Sequence, residues 1–78
     1  MIGMIEEALR KAGWVQDRPR NNLGHYRAVY TKDGRQLALV AGHNGTVAIF
    51  EWSESMGWTR AYVGYHDEVL KWIEREAR

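Results

Sequence analysis

Two dipeptides, Asp33-Gly34 and Asn44-Gly45, constrain this chain more than any other feature in it. Each supplies the positive φ angles that a tight hairpin turn demands. Around them, β-branched and aromatic residues alternate with small or polar ones at the period-two spacing of a strand. Tyr26 to Thr31, Gln36 to Ala41 and Thr46 to Trp52 are therefore expected to be consecutive antiparallel strands, and Trp58 to Val63, after the turn at Ser53 to Gly57, a fourth. Connections this short cannot join parallel strands, so the expected sheet is a meander.

The ends of the chain change period. Ile2, Ile5, Leu9 and Ala12 recur at three- and four-residue steps, which predicts a helix over residues 3–12 that stops at Gly13. Acidic residues early and basic ones late suit its dipole. Val69, Leu70, Trp72, Ile73 and Ala77 restore the same spacing, with Asp67 and Glu68 opening a second helix and Arg75 and Arg78 near its end. Between the first helix and the first strand, Asp17 to Gly24 holds Pro19, the only proline, with Asn21 and Asn22, and reads as a loop. No repeat or linker divides the 78 residues. The expectation is one domain, 1–78, of the α+β class: a two-layer sandwich in the order helix, four-stranded antiparallel meander, helix, with both helices on one face of the sheet.

Composition narrows the function classes. The chain is 45% hydrophobic and 27% charged, as in ordinary globular proteins, and at this length a fold buries roughly 60% of its unfolded surface. It has no cysteine, which rules out thiolate zinc sites and points to a reducing, cytoplasmic setting. Glu6 and Glu7 interrupt what a signal peptide would need as an apolar run, and no apolar run approaches the roughly 20 residues of a membrane helix. A net charge of +1 gives no strong field toward nucleic acid or anionic lipid.

Alternation sorts the strand residues into two faces. Val29, Leu37, Leu39, Val47, Ile49, Ala61 and Val63 form an aliphatic set suited to lie under the helices. The opposite set is Tyr26, Ala28, Tyr30, Ala38, Val40, Ala48, Phe50, Trp52, Trp58, Arg60 and Tyr62, six of the eleven aromatic. No helix remains to cover it, and a monomer rarely exposes an apolar patch of more than a few hundred Å². The face is accordingly expected to meet a partner through Tyr26, Tyr30, Phe50, Trp52, Trp58, Arg60 and Tyr62, with Arg18 and Arg20 from the neighbouring loop. A protein partner comes first, because Trp, Tyr and Arg dominate interface energetics. Single-stranded nucleic acid comes second, since bases stack on such rings. Self-association as a homodimer, or a cap formed by the Asp17 to Gly24 loop, would also cover the face.

Catalysis has few candidates. His25, His43 and His66 are the only side chains that titrate near neutrality at their ordinary pKa values, and each sits at a strand start, a turn or a helix start. No metal-ligand spacing, glycine-rich phosphate loop or nucleophile elbow is present, so no metal and no cofactor are expected. Nevertheless, Leu9-Arg10-Lys11-Ala12-Gly13-Trp14, Gly24-His25-Tyr26-Arg27 and Asp33-Gly34-Arg35-Gln36-Leu37, followed by His43, resemble the first half of HicA-type toxins. These are small ribonucleases of toxin-antitoxin pairs with a fold like that of double-stranded-RNA-binding domains. The resemblance covers residues 9–45 and implies RNA cleavage with His25 as the catalytic histidine. The family's pattern around its second histidine is not reproduced, and residues 46–65 add a hairpin where the family proceeds to its final helix. The primary expectation is a non-enzymatic binding module; the alternative is a HicA-like ribonuclease using His25.

Overall fold

The computed structural model describes residues 2–21, 26–42 and 44–78, and of residues 2, 18–21, 26 and 27 the backbone alone. Its elements run α1 (Ile2–Lys11), β1 (Val15–Asn21), β2 (Tyr26–Lys32), β3 (Arg35–Ala41), β4 (Thr46–Ser53), β5 (Gly57–Tyr65) and α2 (His66–Glu76). All five strands lie in one antiparallel sheet in the order β1-β2-β3-β4-β5. The class is α+β and the sheet a meander, but it has five strands rather than four.

The additional strand occupies most of what the sequence marks as loop. Pro19 cannot donate to a ladder, and β1 is an edge strand, where a missing donor is tolerated. Pairing with β2 shifts register between Gln16 and Arg18 and again between Arg18 and Asn21. Turn-forming residues here roughen an edge instead of ending a strand.

Local chemistry fixes the other boundaries. Gly13, at φ 99°, lets the Trp14 amide donate to the Leu9 carbonyl at 2.9 Å and its own amide to Arg10 at 3.0 Å, which closes α1. Because α1 begins at Ile2, Glu6 and Glu7 lie beyond its first turn, and only Arg10 and Lys11 at its end complement the dipole. Asp33 and Gly34, at φ 51° and 82°, form the two-residue turn between β2 and β3. The β3–β4 connection is longer, with Gly45 at φ 74° and the Gly42 amide bonded to the Thr46 carbonyl at 2.9 Å. At the start of α2, the Glu68 carboxylate accepts the Tyr65 amide at 2.9 Å.

One cluster forms the core. Ile5 and Leu9 of α1, and Val69, Trp72, Ile73 and the adjoining Ala77 from the C-terminal end, pack with Trp14 and with Ala28, Tyr30, Leu37, Leu39, Val47 and Ile49 of the sheet. Residues paired across strands share a face, so the register extends this core face through Tyr30↔Leu37, Ala28↔Leu39, Leu39↔Ile49 and Ile49↔Tyr62.

Two strands depart from the expected facing. In β2, Ala28 and Tyr30 belong to the core and Val29 to the other side. Tyr30 is 1% exposed, and its hydroxyl donates to Glu6 Oε2 at 2.6 Å, which satisfies the polar end of a buried ring. In β5, Phe50 pairs with Arg60 while Ile49 pairs with Tyr62, leaving Ala61 as the extra residue of a β-bulge. The bulge reverses which parity faces inward. Tyr62 consequently stacks on Trp72, centroids 6.1 Å apart, and Val63 turns outward. Tyr30 and Tyr62 are thus corrected from the open face to the core face, and Val29 and Val63 from the core face to the open one. In β3 and β4 the expected facing agrees with the structure.

The bulge makes a direct prediction. Tyr62→Ala should cost about 2 kcal/mol through lost packing against the core. Val63→Ala, at an exposed site, should stay within about 0.5 kcal/mol. Urea midpoints measured at constant slope would give the reverse order if the register continued without a bulge.

Candidate functional site

The sheet face opposite the core is built by cross-strand pairs. Phe50 lies between Ala38 and Arg60, Trp52 beside Trp58, Ala48 between Val40 and Val63, and Thr46 beside Tyr65. This face is not uniformly open. Val29 and Ala38 are buried, whereas Trp52, Trp58, Val63 and Tyr65 are 44%, 37%, 44% and 59% exposed. The exposed rings lie on β4 and β5, with Met56 in the turn between them also exposed, and at the opposite edge of the sheet Val15, paired with Thr31, is exposed as well.

Trp52 and Trp58 meet edge to face, centroids 5.6 Å apart at 63°. Such a contact contributes roughly 0.5–1.5 kcal/mol and holds both rings in place without covering them. Gly57 at φ 70° closes the hairpin that brings the two together, and Ser53 Oγ accepts the Met56 amide at 3.2 Å within that turn. Arg60 is exposed two residues beyond Trp58 on the same face.

Of the residues expected to bind a partner, the structure therefore brings together Phe50, Trp52, Trp58 and Arg60 and separates Tyr30 and Tyr62 from them. The Tyr26 backbone pairs with Ala41, in register with the core face. Arg18 and Arg20 lie in β1, not in a loop, and Arg18 is in register with Val29 of the open face. The side chains of Tyr26, Arg18 and Arg20 lie outside the described residues, as do His25 and His43 entirely. Val63 and Tyr65 are the members the sequence reading missed. Gly64 is the signal for them: a Cβ there would lie 2.9 Å from Glu68 Oε1 and 3.0 Å from the Tyr62 ring. A strand glycine marks such close approach, which puts its two neighbours outward.

Charge is distributed unevenly between the faces. Strands β2 to β5 contain a single carboxylate, Glu51, and it is engaged on the core side by Arg35, with Nε 2.8 Å and Nη2 3.1 Å from its two oxygens. The hydrogen bonding of its guanidinium to Glu51 is the main cause holding the Arg35 pKa above its ordinary value. On α1, Arg10 holds the Glu7 carboxyl below the usual carboxylate range, chiefly by a hydrogen bond. Among the described residues the ion pairs join Arg10 to Glu7, Arg35 to Glu51 and Arg75 to Glu76, and Arg60 is in none of them.

Other surfaces offer less. A cleft between the ends of α1 and α2 gathers Lys11, Lys32 and Arg78 around Ala8 and Ile73. Glu74 also lines it, and Lys32 Nζ donates to the Ala12 carbonyl at the end of α1, so that charge is used on the protein's own backbone. His66 opens α2, and no group of three or more His, Cys, Asp or Glu among the described residues is placed to hold a metal ion. Among the described residues no helix is long and apolar enough to cross a membrane.

No protein-family model, curated protein or solved structure matches this chain.

The site divides the four tryptophans into an outward pair, Trp52 and Trp58, and a core pair, Trp14 and Trp72. Acrylamide should quench the red-shifted emission of Trp52 and Trp58. A Trp52→Phe/Trp58→Phe variant should lose that component, and a protein whose quenching did not change would contradict the open face.

Proposed function

We propose that the protein is a non-enzymatic binding module that engages a protein partner through the outward face of β4 and β5. The observation that carries the reading is the edge-to-face pair of Trp52 and Trp58, held in fixed geometry yet more than a third exposed. Large rings kept rigid and uncovered lose little entropy on binding and release much apolar surface, so Trp with a nearby Arg is the residue chemistry of interface hot spots. Phe50 and Val63 extend the apolar area and Arg60 supplies the charge. The absence of cysteine goes with a cytoplasmic setting.

A random dodecapeptide library displayed on phage and selected on the whole chain supplies partners for the test. Trp52→Ala and Trp58→Ala should each weaken the selected peptides by about fivefold or more, the equivalent of about 1 kcal/mol, with the circular dichroism spectrum unchanged. Peptides indifferent to both substitutions would refute the assignment. Light scattering at micromolar concentration should return a monomer; a dimer dissolved by Trp52→Glu would replace the partner with a second copy.

A further inference from the structure

We infer that the occupant of this face is an extended acidic segment of a protein, lying along the free edge of β5 and placing an Asp or Glu carboxylate on the Arg60 guanidinium. The inference rests on the reading of the β4–β5 face given above, and three features of that face choose among its occupants.

Shape comes first. β5 ends the sheet and pairs with β4 alone, so one edge of Gly57–Tyr65 presents unpaired backbone groups. The bulge at Ala61 puts Trp58, Arg60, Val63 and Tyr65 on the same side of this one strand. At about 3.3 Å per residue they form a strip roughly 23 Å long and one strand wide. An added strand matches it, taking backbone hydrogen bonds from the edge and selectivity from alternate side chains.

Size agrees. Trp52, Trp58 and Tyr65 leave about 200–350 Å² of ring surface uncovered. Two or three apolar side chains of a short segment supply enough surface to cover rings of that extent.

Charge decides the composition. Arg60 is the only basic residue between Thr46 and Tyr65, the one carboxylate of β4 and β5 is Glu51 on the core side, and among the described residues Arg60 is in no ion pair. A second copy docked face to face would present the same outward residues of β4 and β5, with no carboxylate among them, and would bury each Arg60 without a counter-charge, which is costly. A nucleic-acid strand draws its affinity from many phosphate contacts, and along β4 and β5 Arg60 offers one. One carboxylate flanked by apolar side chains at alternate positions satisfies both the charge and the rings.

The test uses the peptides selected above, labelled for fluorescence polarisation, with a twelve-nucleotide oligouridine as the nucleic-acid probe. The selected sequences should share an Asp or Glu between apolar residues. Arg60→Glu should weaken them at least tenfold, Arg75→Glu should not, and a Lys in place of the peptide's acid should restore binding to Arg60→Glu. Methylating the backbone nitrogens that face β5 should abolish binding. If Trp52→Ala weakens the peptides and Arg60→Glu does not, the acidic segment is wrong and the face stands. If neither substitution matters, both fall. Oligouridine binding more tightly than every peptide would assign the strip to nucleic acid and overturn the inference.

Discussion

The rest of the structure depends on where the indole of Trp14 sits. It is buried at the junction of both helix ends and the sheet, and its Nε1 donates to the Ala77 carbonyl. Without that acceptor a buried N–H would cost about 1–3 kcal/mol. Arg35 lies over the ring, Cζ 5.3 Å from its centroid, while its other nitrogens reach Glu51 and the Glu76 carbonyl. One side chain from just after α1 and one from the start of β3 thereby tie together both ends of the helical pair and the adjacent strands. Each helix has a single apolar stripe, and both stripes end in this one cluster. The other face of β4 and β5 is left without a helix to cover it, and its exposed rings follow from that shortage.

The backbone of β5 then determines what this face presents. Its first half is aligned by the Trp52↔Trp58 and Phe50↔Arg60 pairs, and its second by Ile49↔Tyr62 and Val47↔Gly64. Regular pleating cannot satisfy both halves, and one residue of slip at Ala61 reconciles them. The inward position of Tyr62 lets it stack on Trp72, and that of Gly64 admits Glu68, whose carboxylate holds the start of α2. Thus the same irregularity that seats α2 also lines up the outward strip along an edge.

Sequence periodicity was sufficient where the side chains agree with their environment. Both helices, the hairpin turn at Asp33-Gly34 and the facing of β3 and β4 all follow from spacing and turn chemistry. It failed for β1, because Pro19 and two asparagines are as compatible with a broken edge strand as with a loop. It failed for Tyr30, because sorting aromatics to one side ignores the hydroxyl's reach to Glu6. For β5 it failed because a bulge changes parity without altering the chemical type of any residue, and only Gly64 marked it. Half of the outward strip, Trp58 and Arg60, was legible; the other half, Val63 and Tyr65, required the backbone.

The distribution of charge connects the fold to its partner. Four of the ten acidic residues are on α2 and two on α1, and the others are Asp17, Asp33, Glu51 and Glu54. A sheet that had only to remain in water would gain from charges of both signs on its uncovered face, and from an acid next to each arginine. Here β4 spends its one carboxylate on the core side, where Arg35 requires it to hold the Trp14 junction, and Arg60 emerges between rings with no counter-charge from its own strands. The interaction that closes the core and the vacancy on the opposite face are therefore linked through Glu51. Moving that acid outward to neutralise Arg60 would remove the partner of Arg35 and loosen the place where both helices are tied down.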